Sequence, residues 1–408
     1  MSKFFSEEVA SLQTEIGVYS DIGGSRIQQD KCGFCKSQDD SDIFIMADGH
    51  GEDGEVIAKT VVDTITSTVV DIDLSTKTVE EMRIFLSLLC KQADEACKVA
   101  IIELHRNRNN EIFETVDGVL LSQRMNKWFL VKGGATCTIV IRVKYLLFCG
   151  TVGDSSVKVY TSVPILHDLF KRSALDTTIP EEILEYNLTL PEGCLTNHCE
   201  LSHTPSLSDP AEFRRVLKYP TPGIFCYDSE ISNKTSCHKI FTIGPDNELV
   251  KNKERGYPKN VNRELVTMIV APSDYNYGIP PEIRVTEKIC ALAMSRSLAD
   301  FPLKPVGVSA EPVITIMDME PLFTNMRDLD ENPNIKIVLA SDGLWDNMKE
   351  SDTISDTCEF LQKSENITKD AQTIATALGN ENDRCGRRNF GNSRDNTTII
   401  VVKFTEEN

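Results

Sequence analysis

Phe44–Gly51 reads FIMADGHG, an apolar run typical of a strand that ends in an aspartate and a glycine-rich turn. Glycines in such a turn let backbone carbonyl oxygens approach a bound ion that larger side chains would keep away. The same arrangement recurs in VGDSS, Val152–Ser156, and in LASDGLWD, Leu339–Asp346. In SRDNTTIIVV, Ser393–Val402, the aspartate comes just before the apolar run. Carboxylates at strand ends, drawn from the whole chain, indicate a site that exists only in the folded protein.

Five aspartates lie where an apolar run begins or ends: Asp30, Asp48, Asp154, Asp342 and Asp395. Hard divalent cations such as Mg²⁺ or Mn²⁺ prefer oxygen ligands, and Mg²⁺ keeps several of its waters. A single Asp-Gly pair is most often only a turn, but several that directly follow apolar runs favour a metal site. Two neighbouring ions could hold a bridging water and clamp an in-line displacement at phosphorus.

The composition predicts a globular protein. The 408 residues are 40% hydrophobic and 26% charged, which suits one large domain or two ordinary ones. The net charge of −19 disfavours nucleic acid and anionic membranes as partners. The sequence shows neither an apolar run of roughly 20 residues for a membrane helix nor a signal peptide. We therefore expect a cytoplasmic protein, with the nucleus as an alternative, and reduced thiols for its 13 cysteines.

Hydrophobic periodicity predicts one α+β domain over residues 15–405, preceded by a lead-in at 1–14. Two β runs that nearly abut, Thr136–Val143 and Tyr145–Val152, predict a tight hairpin. The other predicted strands are Ile16–Tyr19, Cys32–Cys35, Ile43–Ala47, Val157–Tyr160, Ile335–Ala340 and Asn396–Phe404.

Helical spacing of apolar residues marks Glu55–Val70 and the longer Thr78–His105. The region 162–287 has no sustained period and is rich in proline and asparagine, so we expect a loop-rich insertion. We expect this insertion to include short helices over Pro210–Leu217 and Thr286–Arg296.

Seven motifs, taken in order, resemble the metal-dependent protein serine/threonine phosphatases of the PPM (PP2C) family. They are GGSRIQQD (23–30), ADGHGEDG (47–54), GGATCTIVI (133–141), FCGTVGDSS (148–156), SRSLAD (295–300), VLASDGLWD (338–346) and SRDNTTIIVV (393–402). The resemblance covers most of the chain apart from 162–287. It implies a PP2C-like β-sandwich of two antiparallel sheets flanked by α-helices, in α-β-β-α layers. It also implies hydrolysis of phosphoserine and phosphothreonine in proteins by a metal-bridging water, without a phosphoenzyme.

The resemblance assigns most of the predicted metal ligands. It implies that Asp48 bridges two Mg²⁺ or Mn²⁺ ions and that the Gly49 carbonyl oxygen binds one of them. Asp342 and Asp395 would complete the ligands of this ion pair. Asp30 would act through waters bound to the ions.

Further roles follow from the same resemblance. Asp154, with Asp342 or Asp346, matches positions that hold a third, weaker ion in some members of the family. Arg26 would hold the substrate phosphate, a task suited to a guanidinium group. His50 would protonate the leaving serine or threonine oxygen.

The sequence departs from the family pattern at Gln29, where the family usually has glutamate. Arg26 is also one residue closer to Asp30 than in the commonest spacing. We expect an active, monomeric protein phosphatase and keep two alternatives. One, left open by Gln29 and the long insertion, is a pseudophosphatase that uses the fold as a binding scaffold. The other is a metal-dependent hydrolase of small phosphorylated metabolites.

Overall fold

The structure, a computed structural model, describes residues 12–165, 170–174, 196–204, 206–227, 238–260, 263–286, 290–327, 333–347 and 370–406. The α-helices in these ranges are α1 (Gly54–Val69), α2 (Val79–Asn107), α3 (Pro210–Val216), α4 (Glu320–Arg327), α5 (Asp342–Trp345) and α6 (Ala371–Phe390). Within the described ranges, every helix is too short or too polar to cross a membrane.

The strands of the first half are β1 (Leu12–Asp21), β2 (Lys31–Lys36), β3 (Asp42–Ala47), β4 (Gly49–Gly51), β5 (Glu111–Glu114), β6 (Leu120–Arg124), β7 (Lys127–Leu130), β8 (Gly133–Ala135), β9 (Cys137–Val143), β10 (Leu146–Val152) and β11 (Ser156–Ile165). Those of the second half are β12 (Phe170–Ala174), β13 (Thr196–Glu200), β14 (Ile224–Tyr227), β15 (His238–Lys239), β16 (Phe241–Ile243), β17 (Leu249–Lys251), β18 (Thr267–Val270), β19 (Ala291–Leu292), β20 (Leu298–Ala299), β21 (Val313–Asp318), β22 (Asn334–Ala340) and β23 (Thr397–Glu406).

Two antiparallel sheets form the centre of the fold. One has the strand order β1-β23-β22-β11-β13, and the other has the order β12-β21-β10-β9-β3-β2. The first strand of the chain pairs with the last along its whole length, from Leu12 opposite Glu406 to Asp21 opposite Thr397. The predicted hairpin is confirmed, since β9 and β10 pair in antiparallel register from Val143 opposite Leu146.

The two sheets pack face to face because their strands alternate side chains between two apolar layers. In β3, Phe44 and Met46 point into the sandwich, where they meet apolar residues of β22 and β23. Ile43 and Ile45 of the same strand point the other way, toward α1 and α2. Burial on both faces explains why this strand is an unbroken apolar run rather than an alternating one.

Helices cover both outer faces of the sandwich. α1 and α2 pack on the β3 sheet, and α2 begins with a capping box in which Thr78 and Glu81 satisfy each other's backbone N–H groups. α6 packs on the opposite sheet, where Ile374 and Leu378 contact apolar residues of β22 and β23. The layers are therefore α-β-β-α, as predicted.

The region 162–287 contains more structure than the predicted loop-rich insertion. Its described residues include α3 and the strands β14, β15 and β18, which form a sheet with β19. Phe213, Phe225 and Ile269 belong to a further hydrophobic cluster, which the region shares with residues of β6, β7 and 290–308. The helix predicted over Pro210–Leu217 is confirmed by α3. Other parts of this region lie outside the described residues.

Several sequence-based boundaries need correction. The helix predicted over Thr286–Arg296 is wrong, because the described part of that range holds the short strand β19 and no helix. Helix α6 was not predicted at all. β1 begins at Leu12, inside the predicted lead-in, most of which lies outside the described residues.

Candidate active site

Antiparallel pairing brings the ends of several strands to one edge of the sandwich. β2 begins opposite the end of β3, so Asp30 and Asp48 flank the same end of this strand pair. β11 begins opposite the end of β22, which brings the turn at Asp154 next to Asp342. β23 begins at that end too, and Asp395 lies just before it. The fold therefore gathers all five aspartates that the sequence singled out.

Hydrogen bonds from the backbone of Asp48 hold this residue in place. Its carboxylate therefore faces the other aspartates. Its N–H donates to the hydroxyl of Thr136 at 2.9 Å, and its carbonyl oxygen accepts from the N–H of Thr136 at 2.8 Å. The Thr136 hydroxyl also contacts the hydroxyl of Ser155 at 2.7 Å. The turn after β3 is thus tied to the start of β9 and to the turn that carries Asp154.

Asp30 supplies a buried oxygen atom that has no partner in the protein. Its side chain is 2% exposed, and the hydroxyl of Ser341 donates to Oδ2 at 2.7 Å. Oδ1 is buried and has no hydrogen-bond partner. An unpaired buried carboxylate oxygen is costly, so this atom indicates that a water or a cation is bound nearby in the working protein.

Burial raises the pKa values of three of these aspartates. Burial and the charges of Asp30, Asp342, Asp154 and Asp395 raise the pKa of Asp48 well above its ordinary value. Burial also raises the pKa of Asp30 to about 6 and the pKa of Asp342 to about 8. Cations bound among these carboxylates would favour their ionised forms.

Glycine is required at position 49 because the backbone passes close to α1. A Cβ atom on Gly49 would lie 2.2 Å from the carbonyl oxygen of Gly54. Gln29 supports the same turn, since its side-chain Nε2 donates to the carbonyl oxygen of Gly51 at 2.9 Å. A glutamate, which is the family's usual residue there, could not donate this hydrogen bond when ionised.

His50 forms an ion pair that the sequence did not predict. Its Nε2 lies 2.7 Å from Oδ2 of Asp300, and the hydroxyl of Ser297 donates to the same oxygen at 2.7 Å. Burial would lower the pKa of His50, but the adjacent Asp300 carboxylate outweighs it and raises that pKa above its ordinary value. The imidazole is therefore held in position by a buried carboxylate.

Arg26 lies apart from these contacts. It is exposed, in the turn between β1 and β2. Among the described residues it has neither a salt bridge nor a hydrogen bond that would fix its guanidinium group. The structure thus leaves Arg26 free to move toward a ligand, while its predicted phosphate contact stays a prediction.

Lys259 is the cation at this edge that sequence reasoning missed. It belongs to the 162–287 region, between β17 and β18, and its Nζ lies 3.3 Å from an oxygen of Asp154, 3.3 Å from one of Asp342 and 3.5 Å from one of Asp346. A cavity of about 490 Å³ lies beside this group and is lined by these three aspartates, Lys259 and Tyr227. The insertion therefore borders the aspartate cluster.

The donor atoms fit hydrated hard cations better than a fully protein-ligated ion. In the part of the chain that the structure describes, no three His, Cys, Asp or Glu side chains form a ready-made metal cage. The available donors are carboxylate and carbonyl oxygens, and one buried oxygen of Asp30 is unpaired. Mg²⁺ takes such ligands one or two at a time and retains several waters.

Comparison with known proteins shows similarity to protein phosphatase 2C. The family model of protein phosphatase 2C matches residues 277–389. The crystal structure of the serine-threonine phosphatase 2C from Toxoplasma gondii superposes with a TM-score of 0.52, covering 96% of this chain and 95% of its own at 16% identity. At that identity the likeness shows the fold. Both the family match over part of the chain and the fold are similar to protein phosphatase 2C, the family that the sequence motifs resemble.

A curated relative is similar over a shorter stretch. It is the protein kinase and PP2C-like domain-containing protein of Oryza sativa subsp. japonica, which is 32% identical over 114 residues. The match covers 28% of this chain and 13% of the relative's own length.

Proposed function

We propose that this chain is a metal-dependent phosphatase that hydrolyses phosphoserine and phosphothreonine in proteins. The observation that carries the proposal is the group of five aspartates at one edge of the sandwich, with a buried and unpaired oxygen on Asp30. The family match and the cavity beside the cluster support the same reaction.

The proposed ligands of two Mg²⁺ or Mn²⁺ ions are Asp48, Asp342, Asp395 and the carbonyl oxygen of Gly49. Asp30 would accept hydrogen bonds from waters at the site through its unpaired oxygen. When bound, such ions neutralise phosphate charge and lower the pKa of a coordinated water, which makes direct attack on phosphorus feasible at neutral pH.

His50 would donate a proton to the leaving serine or threonine oxygen. Because Nε2 is paired with Asp300, Nδ1 is the ring nitrogen left to make this donation. Asp300 also favours the protonated imidazole, which is the form a general acid needs. Arg26 would bind the phosphate of the substrate through paired N–H donors.

A phosphate-release assay tests the function. Purified protein is given a phosphothreonine peptide with Mn²⁺ or Mg²⁺, with and without EDTA. We expect release that requires the metal and stops when EDTA is added, because the carboxylates alone repel a phosphate group. Metal-binding protein that releases no phosphate from peptides or from nitrophenyl phosphate would instead be a binding scaffold.

A His50→Ala variant tests the proposed general acid. General acids contribute about 100-fold or more when the leaving group is a poor one. We therefore expect a loss of about 100-fold in kcat on a phosphothreonine peptide and a loss below about tenfold on nitrophenyl phosphate, whose leaving group is stable without a proton.

The matched control is His238→Ala, a histidine of β15 that does not line the cavity. It should leave kcat unchanged on both substrates. If His50→Ala reduced kcat equally on both, the imidazole would not be acting as a proton donor.

A further inference from the structure

Lys259 contacts three carboxylates at once. Asp154 comes from the turn after β10, and Asp342 and Asp346 come from α5 and its end. All three Nζ–oxygen distances lie between 3.3 and 3.5 Å. An ammonium group has three N–H donors, so each carboxylate can receive one of them. This is the arrangement of a bound cation rather than of an isolated surface ion pair.

The backbone of the insertion holds Lys259 in this place. Its N–H donates to the carbonyl oxygen of Glu264 at 2.5 Å, and Pro258 forms a β-bridge with Leu265. The neighbouring Asn260 donates from Nδ2 to a carboxylate oxygen of Asp346 at 3.2 Å. The segment around Lys259 is thus held by hydrogen bonds within the insertion and by a hydrogen bond to Asp346 of the aspartate cluster.

The three carboxylates explain why a lysine is tolerated at a partly buried position, since each Nζ–oxygen distance is 3.5 Å or less. A divalent ion on the same oxygens would face direct repulsion from the ammonium group.

We propose that the Lys259 ammonium group occupies the third cation position, so that this chain binds two divalent ions and not three. The inference rests on the proposed function, because the positions of the first two ions are those of the proposed phosphatase site. It adds that the 162–287 region contributes a built-in positive charge to that site. The oxygens around Lys259 would then be released for a divalent ion only when the lysine is removed.

Equilibrium dialysis against Mn²⁺, with protein-bound manganese measured across a concentration series, tests this. We expect two ions per chain for the wild-type protein and a third, weaker ion for Lys259→Met and for Lys259→Gln. Lys251→Met is the matched control, since Lys251 lies in the same region and, among the described residues, pairs with the exposed Glu254. It should bind two ions.

Adding Asp346→Asn to Lys259→Met should abolish the third ion, because one of its oxygen ligands becomes a neutral amide. Three ions on the wild-type protein, or only two on both folded Lys259 variants, would overturn the inference and leave the proposed phosphatase intact. A wild-type protein that binds no Mn²⁺ would overturn the proposed metal centre and this inference together. Far-UV circular dichroism of each variant shows whether it is folded.

Discussion

Asp48→Asn is expected to lower kcat on a phosphothreonine peptide by about 100-fold or more. Changes to residues that only support a metal ligand already cost about 10- to 100-fold, and Asp48 is the proposed bridging ligand itself. Asparagine keeps the size of the side chain, and the backbone contacts of Asp48 with Thr136 do not involve the carboxylate. The loss should therefore come from the missing charge.

The same variant should be more stable than the wild-type protein when metal is absent. Burial and the charges of four other carboxylates raise the pKa of Asp48 well above its ordinary value. A neutral side chain removes that repulsion, so the metal-free variant should melt at a higher temperature. Added Mn²⁺ should stabilise the wild-type protein much more than the variant.

Asp63→Asn is the matched control for both measurements. Asp63 is an exposed residue of α1 that pairs with Lys59, away from the aspartate cluster. It should keep wild-type kcat and wild-type melting behaviour. Activity of Asp48→Asn above about a third of the control would contradict the proposed role, since a bridging ligand tolerates no such replacement. If Asp48→Asn melted at a lower temperature than the wild-type protein in metal-free buffer, its lost activity would be due to misfolding.

Glu212→Ala is expected to destabilise the protein by about 3–5 kcal/mol, the usual cost of breaking a buried ion pair from one side. Glu212 in α3 accepts from Arg215 at 2.9 and 3.0 Å and from Arg296 at 2.5 and 3.2 Å. Each of the three side chains is about 2% exposed. Removing the carboxylate leaves two guanidinium groups buried beside each other without their counter-charge.

Urea denaturation at neutral pH measures this cost. Burial would raise the pKa of Glu212, but Arg296 and Arg215 outweigh it and hold that pKa far below its ordinary value of 4.5. Its contribution is therefore complete at neutral pH and is lost only as the pH falls below that ordinary value. Glu248→Ala, at an exposed position of the same region, should cost less than about 0.5 kcal/mol. An equal cost for both variants would mean that the buried ion pairs are not a special source of stability.

The sandwich could be predicted because its strands and first two helices carry strong local signals. β3 is an unbroken apolar run, and α2 combines helical spacing with the start signal at Thr78. α6 escaped prediction because its sequence is mostly polar, and only a narrow stripe that includes Ile374 and Leu378 is buried. The segment ending at Arg296 does not form the predicted helix. The side chain of Arg296 instead forms a buried ion pair with the carboxylate of Glu212.

The aspartates of the site could be found from the sequence because each stands at the end of a recognisable strand. The ion pairs at the same edge of the fold could not be predicted in this way. His50 and Asp300 are 250 residues apart, and only the fold brings them together. Lys259 lies in a region with no sustained periodicity, where one lysine among many has no distinguishing pattern. Contacts made across such distances depend on tertiary structure rather than on local spacing.

A centre for two divalent ions around Asp48 would be visible by anomalous scattering from a crystal soaked in Mn²⁺. We expect two manganese peaks beside the Asp48 carboxylate, with the Lys259 ammonium group in place among Asp154, Asp342 and Asp346. A crystal of the folded protein with no manganese peak at Asp48 would contradict it.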